Sequence, residues 1–465
     1  MRFVRAHATS RANFADSGSL VTSAAVKHEE RRRPHGGAPI RLGLLGCGTV
    51  GGGVLRLLTK NAAEFRRRVG VPIEVRRVLV RDADKPRVDE LDRSLLTTKV
   101  DDILTDEDIE IVVEVMGGEG FAGDCIERAL SSGRSVVTAN KALLARRGPT
   151  LLELAGTNRV GLAFEAAVGG GIPVIRTIRD AFASDDVVEL TGILNGTSNY
   201  ILTRMTEDGA LFNDVLREAQ DKGYAEADPS LDIDGHDAAQ KLMVLAMLAF
   251  GARPPESGML IEGIRGLDAV DVKLAGQFGY VVKHVAVGKD RGASVELRAH
   301  AALVKKSSVF ANVSGVLNAI RLEGHALGPC LLSGRGAGDM PTAVSVVADI
   351  LDVARAIVAG APGIVTGARP LAARPLTPPS EIVLRYYLRL AVADEPGVMA
   401  EIAGALGRER VSLSQIVQTE GKDGTAQVVI ITHEARESAV GAALSALADK
   451  RFLRAPAVLL RIEEG

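Results

Sequence analysis

The alternation of apolar and polar positions changes character three times along the 465 residues. Over residues 1–37 no hydrophobic period holds. The stretch is rich in Arg, Ala, Ser and His, poor in acids, and carries a basic cluster at Arg31, Arg32 and Arg33. It predicts a disordered N-terminal extension, of a composition that organellar transit segments share. From Ile40 the apolar residues fall into short runs separated by helical patterns. Runs at 40–45, 71–80, 109–115 and 135–138 predict strands; helices follow the glycine-rich turn at 46–51 and cover 125–130. Strands alternating with helices at this spacing predict a parallel, doubly wound sheet over residues 38–160.

The next region, 161–335, reads as an α+β domain. Its strands are expected at 187–194, 280–287 and 295–303, and its helices at 172–183, 201–209 and 235–250. Residues 336–360 predict a helix returning to the first domain. Pro362, Pro370, Pro375, Pro378 and Pro379 then punctuate a stretch, 361–380, with little periodicity, which reads as a linker. In 381–465 the pattern becomes compact again. Tyr386, Leu388 and Leu390 alternate with Arg385, Tyr387 and Arg389, as on a strand with two unlike faces. A helical pattern, two further strands, a second helix and a last strand complete a βαββαβ order, that of a ferredoxin-like sandwich.

Composition narrows the function classes. Hydrophobic residues make up 46% and charged residues 25% of the chain, enough apolar material for large cores. The net charge of -2 speaks against a nucleic-acid binder, which shows a basic excess. The longest apolar run, residues 242–250, is far short of a membrane span. Cys47, Cys125 and Cys330 are few, odd in number and far apart, so neither a disulfide framework nor a zinc cluster is expected. These features place the chain in the cytoplasm. With no Trp and 3% aromatics, an aromatic platform for sugars or single-stranded bases is disfavoured.

Two stretches carry chemistry. Gly46, Gly48 and Gly51 give GxGxxG directly after a strand and at the start of a helix, the context a Rossmann-type dinucleotide site requires. Gly46, Gly48, Thr49, Val50 and Gly51 form the candidate cofactor set, with backbone amides at the positive end of the helix dipole to meet a pyrophosphate. The second strand ends at Arg81-Asp82, with Lys85 close behind. Arg81 and Lys85 suit the 2′-phosphate of NADP, whereas Asp82 suits the ribose of NAD; NADP is favoured and NAD stays open. In residues 219–241, Asp237 and Lys241 stand four apart on a helix and share a face, with Glu226 and Asp232 upstream. One ammonium among carboxylates can hold an amino acid's amino group and deliver a proton. A surface ion pair at a charged helix start fits the same pattern.

The stretch from Ala219 to Lys241, with Gly223, Asp228, Pro229, Asp232, Gly235 and Asp237 at its spaced positions, resembles the signature of the homoserine dehydrogenase family. Thr138-Ala-Asn-Lys141, Glu165-Ala-Ala-Val-Gly-Gly-Gly-Ile-Pro173, Leu194-Asn-Gly-Thr-Ser-Asn-Tyr200 and Gly336-Ala-Gly338 resemble the same family in the same order. The resemblance implies reduction of aspartate 4-semialdehyde to homoserine with NADPH or NADH, on the route to threonine, methionine and isoleucine. It implies Lys241 as proton donor, Asp237 as its orienting carboxylate, and Glu226 and Asp232 as substrate-binding carboxylates. Lys141 is implied between cofactor and substrate, and Thr138 and Gly338 on the cofactor side. Glu165, Val168, Gly170 and Ile172 match a monovalent-cation site, usually assigned to sodium. The tail is similar to an ACT domain, a small regulatory fold that pairs side by side. That implies threonine as effector near Asp394, Gly397 and Gln415, with Gln418 a further candidate, and at least a homodimer or homotetramer. Another amino-acid dehydrogenase on the same sheet, or a catalytically silent amino-acid sensor, are the alternatives.

Overall fold

The computed structural model describes residues 36–255, 257–366, 369–421 and 424–464; the expectation for residues 1–37 lies outside them except for Gly36 and Gly37. The first layer is a six-stranded parallel sheet of β1 (Ile40–Leu45), β2 (Ile73–Leu79), β3 (Leu96–Thr97), β4 (Ile111–Glu114), β5 (Ser135–Thr138) and β6 (Leu162–Ala163). The strands run in the order β3-β2-β1-β4-β5-β6. Central β4 and β5 are buried at every residue, which explains their unbroken apolar runs, since helices cover both faces. Those helices include α1 (Thr49–Lys60), α2 (Phe121–Ser131) and α3 (Lys141–Asn158). Strand order reverses between β1 and β4, so the crevice at their carboxyl ends is the place for a ligand.

The second layer is mostly antiparallel. It comprises β7 (Val187–Ile193), α4 (Gly196–Asp208), α5 (His236–Phe250), β8 (Leu260–Ile261), α6 (Ala269–Gln277), β9 (Tyr280–Asp290), β10 (Val295–Lys305), β11 (Leu317–Gly324) and β12 (Gly328–Arg335). α5 is buried almost all round because it lies between this sheet and α3. A Cβ on Gly148 would come within 2.9 Å of Met247 Sδ. α7 (Asp339–Val358) returns to the first layer and packs on α1 so closely that a Cβ on Gly53 would lie 2.8 Å from Ala343 Cβ.

The proline-rich stretch that follows is laid along the body. Thr366 Oγ1 accepts from Leu162 N at 3.0 Å, Ala372 and Leu376 bridge to Ala252 and Val295, and Arg374 Nη1 reaches Asp290 Oδ2 at 3.1 Å. The last module has the expected βαββαβ order: β13 (Val383–Ala393), α8 (Val398–Arg408), β14 (Leu413–Glu420), β15 (Thr425–Thr432), α9 (Glu437–Ala448) and β16 (Val458–Glu463), with a short bridge strand, Ala435–Arg436, before α9.

The module is not separate from the sheet of the second layer. β16 pairs antiparallel with β13 and parallel with β10, in the register Ala302 to Arg461 and Val304 to Glu463. One sheet therefore runs from β12 through to β14. The two faces of β13 serve two cores. Tyr386, Leu388 and Leu390 pack under α8 and α9, whereas Tyr387 belongs to the core shared with α4 and α6. Tyr387 donates to Asp271 Oδ1 at 2.9 Å and Arg389 Nη2 to Asp271 Oδ2 at 2.8 Å. The fold is thus the expected α/β class: a Rossmann-type domain, an α+β domain and a ferredoxin-like module.

Candidate active site

The glycine-rich turn is shaped by contacts that a side chain would break. Gly46 has φ +104°, and a Cβ there would sit 3.1 Å from Met116 N; a Cβ on Gly51 would sit 2.3 Å from Gly46 O. Around Gly48, by contrast, nothing lies within 4 Å. α1 starts with no side-chain cap and no acidic residue in its first turn, so its first amides are free to meet a phosphate. These residues fit a dinucleotide. Two side chains that sequence reasoning passed over hold the turn. Arg87 Nη1 donates to Cys47 O at 2.6 Å and its Nη2 to Asp82 O at 2.8 Å, fastening the turn to the loop after β2. Buried Glu114 accepts from Met116 N at 2.7 Å, Gly117 N at 2.9 Å and Thr138 Oγ1 at 2.7 Å, locking the ends of β4 and β5 together. Asp82 turns its carboxylate into its own loop, accepting from Asp84 N at 2.8 Å. Arg81 and Lys85 are exposed and make no ion pair among the described residues.

Lys141 is the first residue of α3, and Asn140 caps that helix by accepting from Leu143 N at 3.2 Å. The cap points Lys141 out of the first layer toward α5, where its Nζ lies 3.2 Å from Asp237 Oδ1. Lys241 approaches the other oxygen, donating to Asp237 Oδ2 at 2.7 Å and to Leu194 O at 2.8 Å. One carboxylate therefore spans two ammonium groups, one from each layer. Asn195 is the junction that sequence reasoning did not single out: its Nδ2 donates to Asp237 Oδ2 at 2.8 Å and to Asp232 Oδ1 at 2.7 Å. Thr197 Oγ1 holds the second oxygen of Asp232 at 3.0 Å. The signal for both was the stretch Leu194 to Tyr200, in which Asn195 also caps α4 through Ser198 N. Burial would push the Asp237 carboxyl up, but Lys241, Lys141 and Asn195 outweigh it and hold it at about 2. Glu226 stays apart: it is exposed, its carbonyl accepts from Gln220, and its carboxylate has no partner among the described residues.

The turn after β6 is a second buried centre. The Glu165 carboxylate accepts from Ile175 N and Arg176 N, both at 2.8 Å, and Glu165 N donates to Asp349 Oδ2 at 2.7 Å. Burial raises both carboxyls, Asp349 to about 7 with help from the Glu165 charge. Gly170 has φ +54° and its carbonyl accepts from Ser345 Oγ at 2.6 Å; Ile172 O accepts from Val174 N at 2.8 Å. Since the Glu165 carboxylate is engaged by amides, the oxygens left for a cation are the backbone carbonyls around this turn, an all-oxygen set that suits a hard ion. In the tail module Gly397, at φ +95°, opens α8 without a side-chain cap. Gln418 Nε2 donates to Asp394 Oδ1 at 3.1 Å, whereas Gln415 is exposed on β14. No helix among the described residues is long and apolar enough to cross a membrane.

A dinucleotide turn at a strand-order reversal, together with two lysines meeting on one buried carboxylate, defines a nicotinamide-dependent oxidoreductase; the tail adds a ferredoxin-like module. Residues 46–165 match a family model described as the NAD-binding domain of homoserine dehydrogenase, 173–351 one described as homoserine dehydrogenase, and 386–452 the ACT domain. The chain is 40% identical to a homoserine dehydrogenase of Neisseria gonorrhoeae over 431 residues, covering 91% of this chain and 99% of that protein. Its structure superposes on that of a homoserine dehydrogenase from Thiobacillus denitrificans with a TM-score of 0.87 at 40% identity, covering 92% of this chain and 99% of the other. A hyperthermophilic archaeal homoserine dehydrogenase in complex with NADPH is similar at a TM-score of 0.58 and 26% identity, covering 68% of this chain and 97% of the other. The chain belongs to the homoserine dehydrogenase family.

Proposed function

We propose that this oxidoreductase interconverts L-aspartate 4-semialdehyde and L-homoserine with NADP, and that Lys241 moves the proton. The observation that carries this reading is the Lys141–Asp237–Lys241 bridge, which joins the start of α3, just past the end of β5, to α5. The nicotinamide, when bound on that turn, supplies the hydride. The carbonyl oxygen that accepts it becomes an alkoxide, and a fixed ammonium both stabilises and protonates it. Lys241 is buried and its Nζ is aimed by Asp237 and Leu194 O, so it takes the proton-donor role. Lys141, with a side chain 35% exposed, positions from the cofactor side. Asp232 and Glu226 receive the substrate ammonium, Asp232 held ready by Asn195 and Thr197. The backbone carbonyls of Glu165, Val168, Gly170 and Ile172 hold a monovalent cation, sodium, as a structural element of that turn. Threonine binds the tail module at Asp394, Gly397 and Gln415, and its modules pair in a cytoplasmic homodimer or homotetramer.

The test is absorbance at the reduced-nicotinamide band with homoserine and NADP⁺, with and without threonine. Reduction that threonine suppresses supports both parts of the reading. Reduction that threonine leaves alone removes the effector from the module. No reduction with NADP⁺ or NAD⁺ from folded protein overturns the reaction. Coenzyme choice is expected to rest on Arg81, whose guanidinium pairs with none of the described residues while Asp82 is engaged by Asp84 N. Arg81→Ala should raise KM for NADPH on the order of tenfold and leave that for NADH nearly unchanged. Equal loss with both coenzymes would remove the phosphate contact.

A further inference from the structure

Residues 260–265 stand between the tail module and the loop that carries Asp232. They begin as β8, which pairs parallel with β10 at Leu260–Arg298 and Ile261–Ala299. Further along, β10 receives β16 of the module at Ala302–Arg461. Since β9 fills the other edge of β10 throughout, β8 and β16 follow one another along a single edge. At their junction Arg461, 2% exposed, donates through both terminal nitrogens to the Glu262 carboxylate, at 2.6 and 3.0 Å. Its Nε donates to Glu437, at the start of α9, at 3.0 Å. The planar guanidinium thus ties residue 262 to a strand and a helix of the module in one fixed geometry.

The backbone of the same segment is fitted to the start of α5. Glu262 O meets His284 Nε2 at 2.9 Å. A Cβ on Gly235, the residue that opens α5 at φ +88°, would lie 2.8 Å from that same oxygen. At Gly263 the approach is closer still, because a Cβ there would fall 1.9 Å from Ile233 O and 2.4 Å from Asp234 Cα. Ile264 N donates to Ile233 O at 2.8 Å, and Arg265 holds both oxygens of Asp234, at 2.8 and 2.9 Å. Ile233, Asp234 and Gly235 lie between Asp232 and Asp237, the two carboxylates that Asn195 joins. Backbones packed at these distances move together and not past one another. A displacement of residues 260–265 is therefore passed to Asp232 and to the first turn of α5, which carries Asp237 and leads to Lys241. All of these partners belong to the second layer or the module, and none to the layer with the dinucleotide turn.

We infer that residues 260–265 are a strut through which the tail module sets the substrate site, and that Glu262 and Arg461 are positioning residues that clamp it. This rests on the reaction proposed above. The clamp acts on Asp232 and on the start of α5, so it governs the amino-acid substrate and leaves the coenzyme alone. A shift of β16 or α9 reaches the substrate carboxylates by the same contacts.

The test is steady-state oxidation of L-homoserine by the full chain and its variants, with both KM values and the denaturation midpoint read for each. Glu262→Gln should raise KM for homoserine about fivefold and leave KM for NADP⁺ unchanged. Its side chain is 47% exposed, so this variant folds even if a change at buried Arg461 does not. Arg461→Met should raise KM for homoserine at least as much, and adding Glu262→Gln to it should cost little more, because both remove one contact. Arg461→Lys, which keeps the charge, should fall between. Glu463→Gln is the control for general loosening of the seam. Its partners are Arg298 and His300 on β10, so it should lower the midpoint and leave KM for homoserine in place. A lower midpoint with unmoved KM for homoserine in Glu262→Gln would make the ion pair a structural clasp and overturn the inference. So would an equal rise in Glu463→Gln, or a matching rise in KM for NADP⁺, since either assigns the effect to the whole fold. Absence of homoserine oxidation by the unmutated enzyme would overturn the underlying reaction and this inference together, and is seen before any variant is made.

Discussion

Lys241→Ala is expected to reduce kcat for homoserine oxidation by about 10³-fold, within the range for loss of a positioned acid–base group. The fold should survive the change. Asp237 would still be held by Asn195 Nδ2 at 2.8 Å and by Lys141 at 3.2 Å, so no buried charge is left alone. Lys241 bonds to Asp237 and Leu194 O, neither of them in the dinucleotide turn, which should bind NADPH as before, measurable by quenching or enhancement of the cofactor's fluorescence on titration. A variant that loses NADPH binding instead would refute the proton-donor role. Asp237 does not substitute for the lysine, because its carboxyl is held at about 2 and stays ionised at every pH near neutrality. Its contribution to stability is present above the ordinary carboxyl value and is lost only as pH falls toward 2. Lys141→Ala should cost less in kcat than Lys241→Ala, since its side chain lies at the open edge of the bridge.

Glu463→Ala is expected to lower the stability of the folded chain by about 3–5 kcal/mol, the range for stranding one partner of a buried ion pair. Arg298 is fully buried, and its Nη2 donates to both oxygens of Glu463, at 2.8 and 3.0 Å. His300 Nε2 lies 3.4 Å from the same carboxylate. Burial would raise the Glu463 carboxyl, but Arg298 and His300 outweigh it and hold it at about 2. The pair therefore contributes at and above ordinary carboxyl values, and the contribution fades as pH falls toward 2. Glu463 lies on the last strand of the module and Arg298 on β10, so the loss falls on the seam between module and body. A second pair crosses that seam, Arg461 to Glu262 at 2.6 Å, with Glu437 on the other side of the same guanidinium. The measurement is the denaturation midpoint together with the rate of proteolytic release of the module. Glu463→Gln, which keeps the shape and loses the charge, should fall between. A midpoint unchanged in Glu463→Ala would mean that Glu296, the other carboxylate beside Arg298, carries the charge alone.

The seam itself was not legible in the sequence. The alternation of β13 sets Arg385, Tyr387 and Arg389 on one face, a pattern that a solvated strand face would also give. In the fold Tyr387 is fully buried and meets Asp271 together with Arg389, more than a hundred residues away along the chain. A polar residue looks the same in sequence whether water or a distant carboxylate satisfies it. Arg461 and Arg87 were illegible for the same reason, as each acts through neighbours that only β-sheet pairing or a returning loop supplies.

Local pattern fixed the elements: strand–glycine turn–helix after Ile40, the i,i+4 pair Asp237 and Lys241, and the βαββαβ order of the tail all follow from spacing along a few residues, because backbone periodicity is a short-range property. The doubly wound class followed from their succession. Tertiary structure alone decided that Lys141 and Lys241 share one carboxylate, that Asn195 joins it to Asp232, and that Glu226 stands outside the bridge. It also decided that the ACT module extends the sheet of the body instead of hanging from its linker. These are long-range pairings, set by which buried charges and unpaired strand edges find partners when the chain closes, and no window of neighbouring residues encodes that choice.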